Sequence, residues 1–148
     1  MIARSTLAPE DAVGAALSAA YAARSPVLVE AFKSGLSEAD ANAALTASAL
    51  MGMNNTWYPY VEMTGDAQLK SLPAQLRMNA YATHGGVDKK RFELFALVAS
   101  IIGKCHFCVA SHYENLKKDG LSTEQLRDAG RIASVVNAAA LALAAQGK

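Results

Sequence analysis

Cysteine is nearly absent from this chain: Cys105 and Cys108 are the only two among 148 residues. A disulfide framework is thereby excluded, since a bridge closing so short a loop adds little stability. Charge imbalance is missing too. Fourteen Lys and Arg against 13 Asp and Glu leave +1, too weak a field to hold nucleic acid or an acidic membrane surface. No run approaches the roughly 18 consecutive apolar residues of a membrane span. The N-terminal stretch has no compact apolar segment before a cleavage site, and Glu10 and Asp11 interrupt it, so a cytoplasmic location is the expectation. The alternating pattern of a half-buried strand does not occur, and nothing repeats at a fixed period.

What remains is apolar and rich in alanine. Hydrophobic residues make up 52% and charged residues 18%, which argues against disorder and suits closely packed helices. The expected fold is all-α, one compact helical domain over residues 1–148.

Punctuation places the helices. Pro9, followed by Glu10 and Asp11, opens one over residues 9–23. Ser25-Pro26 opens a second that stops at Gly35. Ser37 opens a third that runs to about Asn55. Residues 54–65, with Trp57, Tyr58, Pro59 and Tyr60, read as an irregular aromatic corner, either packed or binding. A short helix entered at Pro73 spans Leu72 to Ala82, and His84-Gly85-Gly86 is a loop with His84 an ordinary member of it. Asp88 caps a helix to Ile102 that is apolar nearly all round. Another opens near Cys105 and closes at Gly120. Ser122 and Gln125 have capping-box spacing and open the last, which ends near Gln146. So much apolar surface on the helix from Asp88 and on the last one points to a homo-oligomer.

Chemistry concentrates between Glu93 and His112. Cys105, Cys108 and His112 share one helical face, with Cys108 and His112 about 40° apart around the axis. Glu93, twelve residues before Cys105, reaches that face only if the helix breaks, and Gly103 with Lys104 offers the break. A helix starting at Cys105 aims unpaired N–H groups at the thiols and favours thiolate, the nucleophilic form. His112 can take the proton of Cys108. Cys105 can attack a sulfenic acid on Cys108 and close a disulfide. Glu93 either joins a relay through His112 and a bridging water or is a carboxylate held by the helix dipole alone. Two further readings stand beside this: buried thiols acting as small hydrophobes, and a zinc site of Cys105, Cys108 and His112 with His84 or His106 as fourth ligand. His106 is placed on an exposed side, where it either tunes the thiols or is simply solvated.

Glu93, the interval to C-H-F-C, and the following V-A-S-H together resemble the alkylhydroperoxidase AhpD branch of the carboxymuconolactone decarboxylase-like superfamily. M-G-M-N-N at 51–55, L-R-M-N at 76–79, F-E-L at 92–94 and A-S-I-I-G-K-C extend the similarity from about Ala15 to the end. The resemblance implies an all-helical homotrimer that reduces peroxide without haem, flavin or metal. It implies Cys108 as the peroxidatic cysteine, Cys105 as the resolving one, and Glu93 and His112 as a proton relay. It also implies re-reduction by a lipoylated dehydrogenase subunit through an adaptor, and electron delivery to the peroxiredoxin AhpC. Two departures stand out. That branch carries a histidine just before the second cysteine, where this chain has Phe107; His106 is one place earlier, about 100° around the helix. The chain also begins later than that branch usually does, so an N-terminal helix is missing or the start lies upstream of Met1. Other readings are a dithiol–disulfide oxidoreductase or electron carrier, and a redox-sensing helical subunit without turnover. The decarboxylation that names the superfamily does not depend on a dithiol.

Overall fold

A computed structural model of the chain describes residues 2–76 and 87–148. A short 3-10 turn, Ile2–Arg4, precedes α1 (Pro9–Ala22), α2 (Pro26–Lys33), α3 (Glu38–Thr64), α4 (Ala67–Ser71), α5 (Lys89–Gly103), α6 (His106–Lys118) and α7 (Thr123–Ala145), and no strand occurs among the described residues. The all-α expectation holds there. Most starts use the caps named above. Ser37 accepts the Asp40 N–H at 3.1 Å, Asp88 the Arg91 N–H at 2.7 Å, and Ser122 with Gln125 forms the reciprocal box. Each cap satisfies amide donors that a helix start leaves open.

α5 is the axis of the packing. Every residue from Phe92 to Ser100 is buried, and α1, α3, α6 and α7 all lie against it. α1 comes close because its inner face is Ala12, Ala15, Ala16, Ala19 and Ala20, with Gly14 against the ring of Phe95. A Cβ at Gly14 would overlap that ring. Ser18 donates to the Phe95 carbonyl at 2.7 Å and ties the two helices across a buried contact. Phe92 and Phe95 are the largest wholly buried side chains, and truncating either to alanine costs about 3–5 kcal/mol. One chain thus encloses α5 from Phe92 to Ser100 by itself. α7 differs: Ile132, Ala133, Val136 and Ala140 face inward, while Val135 and Leu141 are exposed. By length and composition alone it is also long and apolar enough to cross a membrane, although polar residues interrupt it.

Two ion clusters fix the outer helices. Arg91 on α5 donates to Asp11 of α1 at 2.7 Å and to Asp40 of α3 at 3.0 Å. Partial burial works against its charge, but the two carboxylates outweigh that and raise its pKa above the ordinary value. Asp128 of α7 accepts the Thr6 N–H and hydroxyl at 2.8 and 2.7 Å and also faces Arg127 and Arg131, so the N-terminal segment is tied to α7. The Thr6 backbone and hydroxyl donors, with Arg127, hold the Asp128 carboxyl at about 2 against the effect of burial.

Two helix expectations fail. Residues 54–64 are not irregular: α3 runs through Pro59 to Thr64 and ends at left-handed Gly65, φ 65°. Proline removes one helical hydrogen bond there, yet Tyr58 and Glu62, one turn apart, both meet partners on α6 and hold the helical spacing. The aromatics are therefore no packed corner, and Tyr60 and Met63 stand exposed. The helix expected from Leu72 is not seen over residues 72–76; Leu72 is extended, ψ 139°, as the residue before a proline tends to be. The rest of that stretch, with the His84 loop, lies outside the described residues.

Candidate active site

The break between α5 and α6 builds the site. The Cys105 N–H bonds the Ser100 carbonyl at 3.4 Å and the Lys104 N–H bonds the Ile101 carbonyl at 3.2 Å, a Schellman closure. Lys104, not Gly103, takes the left-handed conformation, φ 54°. Gly103 is needed for a different reason. The Asn55 side chain of α3 lies across its Cα, and a Cβ there would overlap it. Asn55 Nδ2 also donates to the Ala99 carbonyl at 3.2 Å, so α3 grips the end of α5.

Cys105 is the N-cap of α6, and its Sγ receives the Cys108 N–H at 3.3 Å. The sequence placed this helix start correctly, and the break turns the Cys-bearing face onto Glu93. Cys105 and Cys108 are joined as a disulfide with Cα atoms 5.3 Å apart. The bridge is enclosed: Cys105 is 0% exposed and Cys108 3%. Cys105 Sγ lies 3.9 Å from the Asn54 carbonyl of α3.

His112 lies one turn beyond Cys108, 8% exposed, and Glu93 is 1% exposed. Glu93 Oε1 is 2.7 Å from His112 Nδ1 and accepts from Asn115 Nδ2 at 3.0 Å. The carboxylate and imidazole touch directly, so the bridging water expected between them is not needed. Nor is the dipole the only support of Glu93, since two side chains hold it. His112 Nε2 faces Met51 Sδ at 3.1 Å. A thioether has only lone pairs to offer, so a hydrogen bond there requires the proton on Nε2. In this oxidised state the imidazole is turned onto Met51 and not onto a sulfur of the bridge.

The residues between the cysteines face outward. His106 Nδ1 is 3.1 Å from Glu62 Oε1, with both side chains largely exposed. Phe107 stacks on Tyr58 with centroids 4.4 Å apart, yet remains 56% exposed. One ridge of α3, Met51, Asn54, Asn55, Tyr58 and Glu62, thus touches the whole redox segment. Its helical spacing of three and four puts these residues on one face. A cleft of about 800 Å³ opens beyond, walled by Trp57, Tyr58, Val61, Leu69, Leu72 and Phe107.

Cys105, Cys108, His112 and Glu93 are therefore gathered, while His106 stands outside the buried group. The sequence did not single out Asn115, and it tied neither Met51 nor Tyr58 to the redox segment. Asn115, three residues after His112 on the same face, carried a readable signal; Met51 and Tyr58 stood out only as part of a resembling motif and of an aromatic group, because their partners are far away in the chain. In the disulfide state the sulfurs are bonded to each other, and His84, one of the two fourth ligands considered for zinc, lies outside the described residues. Among the described residues no group of three or more His, Cys, Asp or Glu could hold a metal ion.

Comparison with known proteins points the same way as these contacts. Residues 67–146 match the carboxymuconolactone decarboxylase family. The chain is 42% identical over 146 residues to the alkyl hydroperoxide reductase AhpD of Rhodospirillum centenum, covering 96% of this chain and 78% of that protein. It is 44% identical over 137 residues to the AhpD of Maricaulis maris, covering 90% and 79%. It is 38% identical over 137 residues to that of Coxiella burnetii, covering 90% and 77%.

Proposed function

This chain belongs to the carboxymuconolactone decarboxylase family as an AhpD-like member, and from that premise we propose that it reduces alkyl hydroperoxides through the Cys105–Cys108 dithiol. One observation carries the reading: a buried carboxylate–imidazole pair sits one helical turn from a buried disulfide. The two sulfurs supply a nucleophile and its resolver. The pair supplies a proton where water is scarce.

The cycle begins with the bridge reduced. The Cys108 thiolate attacks the terminal oxygen of ROOH; the O–O bond breaks, Cys108 becomes a sulfenic acid, and the alkoxide takes a proton to leave as ROH. The proton comes from His112, restored along the line to Glu93. Release from Met51 is easy, because a thioether is a weak acceptor. Cys105 then attacks the sulfenic sulfur, expels water and re-forms the disulfide. A dihydrolipoyl dithiol closes the cycle: it becomes a cyclic disulfide and both cysteines return as thiols. Cys105 suits the leaving role in that exchange, because the N-terminal N–H of α6 that its sulfur receives also stabilises its thiolate. Net, ROOH and the dithiol give ROH, water and the donor's disulfide.

A narrow donor fits an enclosed bridge better than a broad protein surface does, which favours a lipoyl arm on a dehydrogenase subunit, brought by an adaptor, and a peroxidase over a general electron carrier. Delivery to a peroxiredoxin of the AhpC kind is a further use of the same dithiol. We take the working assembly to be a homotrimer, for which exposed Val135 and Leu141 on α7 offer apolar surface; a monomer at micromolar concentration in sedimentation would contradict it. A dithiol that must be reduced in every cycle suits the cytoplasm, our proposed location, which fractionation would check.

The test is steady-state hydroperoxide reduction driven by dihydrolipoamide. Cys108→Ser is expected to lose at least about 10³-fold. Cys105→Ser is expected to stop after one turnover with the sulfenic acid on Cys108. Equal residual turnover in both variants would contradict the assignment.

A further inference from the structure

We propose that the hydroxyl of Ser100 is a hydrogen-bond donor held for the reduced state, where it meets the sulfur of Cys105 and favours opening of the bridge. The proposal rests on the Cys105–Cys108 pair alone and not on a peroxide as substrate. Ser100 is 0% exposed, and its Oγ has no hydrogen-bond partner among the described residues. A buried hydroxyl without a partner destabilises the state that contains it. Ser18, equally buried, shows the usual solution, since its Oγ donates to the Phe95 carbonyl. Ser100 instead keeps an unused donor next to the redox segment.

Register places that donor. α5 and α6 run antiparallel from the break, and contacts at both ends fix their pairing. Glu93 meets His112, and the Ser100 carbonyl accepts the Cys105 N–H at 3.4 Å. Ser100 follows Glu93 by seven residues and Cys105 precedes His112 by seven, so the two pairs belong to one register. Two turns of helix bring Glu93 and Ser100 to within about 20° of each other around α5. Ser100 therefore stands on the face of α5 that carries the carboxylate, opposite the first cysteine. In the disulfide, Cys105 Sγ receives the Cys108 N–H at 3.3 Å. A sulfur bonded to sulfur is a weak acceptor, whereas a thiolate is a strong one. Reduction by a dithiol breaks the S–S bond with two electrons, returns both cysteines as thiol or thiolate and turns the donor into a disulfide. The two sulfurs then part, and Cys105 Sγ is free to turn toward the hydroxyl opposite. The Ser100 O–H there joins the Cys108 N–H as a second donor. The hydroxyl gains its partner in the same step, so both effects favour the dithiol.

The experiment equilibrates the full chain with dihydrolipoamide and lipoamide, quenches by alkylation, and measures reduced and oxidised protein by mass. Ser100→Ala is expected to shift the thiol–disulfide constant about ten-fold toward the disulfide. Ser100→Gly also lacks the hydroxyl and adds no bulk, and should shift the constant the same way, so the test does not depend on one substitution. Urea melts give the second readout. Ser100→Ala should leave the oxidised protein as stable as before or more so, and should lower the midpoint of the reduced protein. A constant that neither variant moves, or that moves toward the dithiol, overturns the proposal. So does an equal change in the midpoints of both states, which would make the hydroxyl a matter of packing or hydration alone. No peroxide enters the experiment, so its failure leaves the peroxidase reading standing. Failure of the peroxidase assay, in turn, leaves the thiol–disulfide constant to be read as before.

Discussion

The first three turns of α6 present two faces made in different ways. The inner face carries Cys105, Cys108, His112 and Asn115, and each finds a short-range partner in the protein: sulfur to sulfur, imidazole to Glu93 and Met51, amide to Glu93. The outer face carries His106 and Phe107, which meet α3 through an exposed ion pair and a half-open ring stack. Polar groups buried on the inner face are satisfied, because an unpaired one costs the full price of its desolvation. The outer face is under no such demand. The contrast teaches that helical phase divides one C-x-x-C into two environments: positions facing in hold sulfur and imidazole in fixed, buried geometry, and positions facing out stay exposed.

Breaking the inner face should have the larger effect. Glu93→Gln keeps the shape but removes the carboxylate that contacts His112, and is expected to lower kcat/KM by about 10²-fold or more with one limb of its pH profile lost. A merely structural role for Glu93 would lower activity without altering the profile. Gly103→Ala tests the turn that joins the two helices. Its new Cβ meets Asn55, so a stability loss of about 1–3 kcal/mol is expected from the urea midpoint.

A remote carboxylate sharpens the contrast. Asp128 has its folded-state pKa depressed from 3.8 to about 2, so its stabilisation is fully present above the unfolded value and is lost as pH falls from there toward about 2. Thermal melts between those limits should show a slope that Asp128→Asn lacks, while peroxide reduction at neutral pH stays unaffected by that variant. The smallest effect belongs to the outer ion pair. Glu62→Gln removes an exposed contact worth well under about 1 kcal/mol, and the rate with hydrogen peroxide should stay within about two-fold.

Local chemistry made most of this legible in advance. Ser25, Ser37, Asp88 and Ser122 cap helices because short polar side chains satisfy nearby amides, and that information is contained in a few adjacent residues. The grouping of Cys105, Cys108, His112 and Glu93 followed from helical phase and one required break. Its cause was read partly wrongly: the left-handed residue is Lys104, and Gly103 serves the close approach of Asn55. What stayed hidden depends on residues distant in the chain. Pro59 looks like a helix breaker until Phe107 and His106 are seen to hold the turn containing it. Met51 carries no polar signal, and only the packing of α3 on α6 brings its sulfur to the imidazole. The enclosure of α5 by its own chain likewise depends on how small the α1 side chains are where the two helices cross.

The most direct measurement is to treat the Cys105→Ser variant with a single equivalent of cumene hydroperoxide, trap sulfenic acid with dimedone, and locate the adduct by peptide mass. The expected result is a label on Cys108 that forms much more slowly when Glu93 is also replaced by glutamine. A label that appears on Cys105 at the same rate in the Cys108→Ser variant, or one on Cys108 that is indifferent to Glu93, would contradict the division between the two faces.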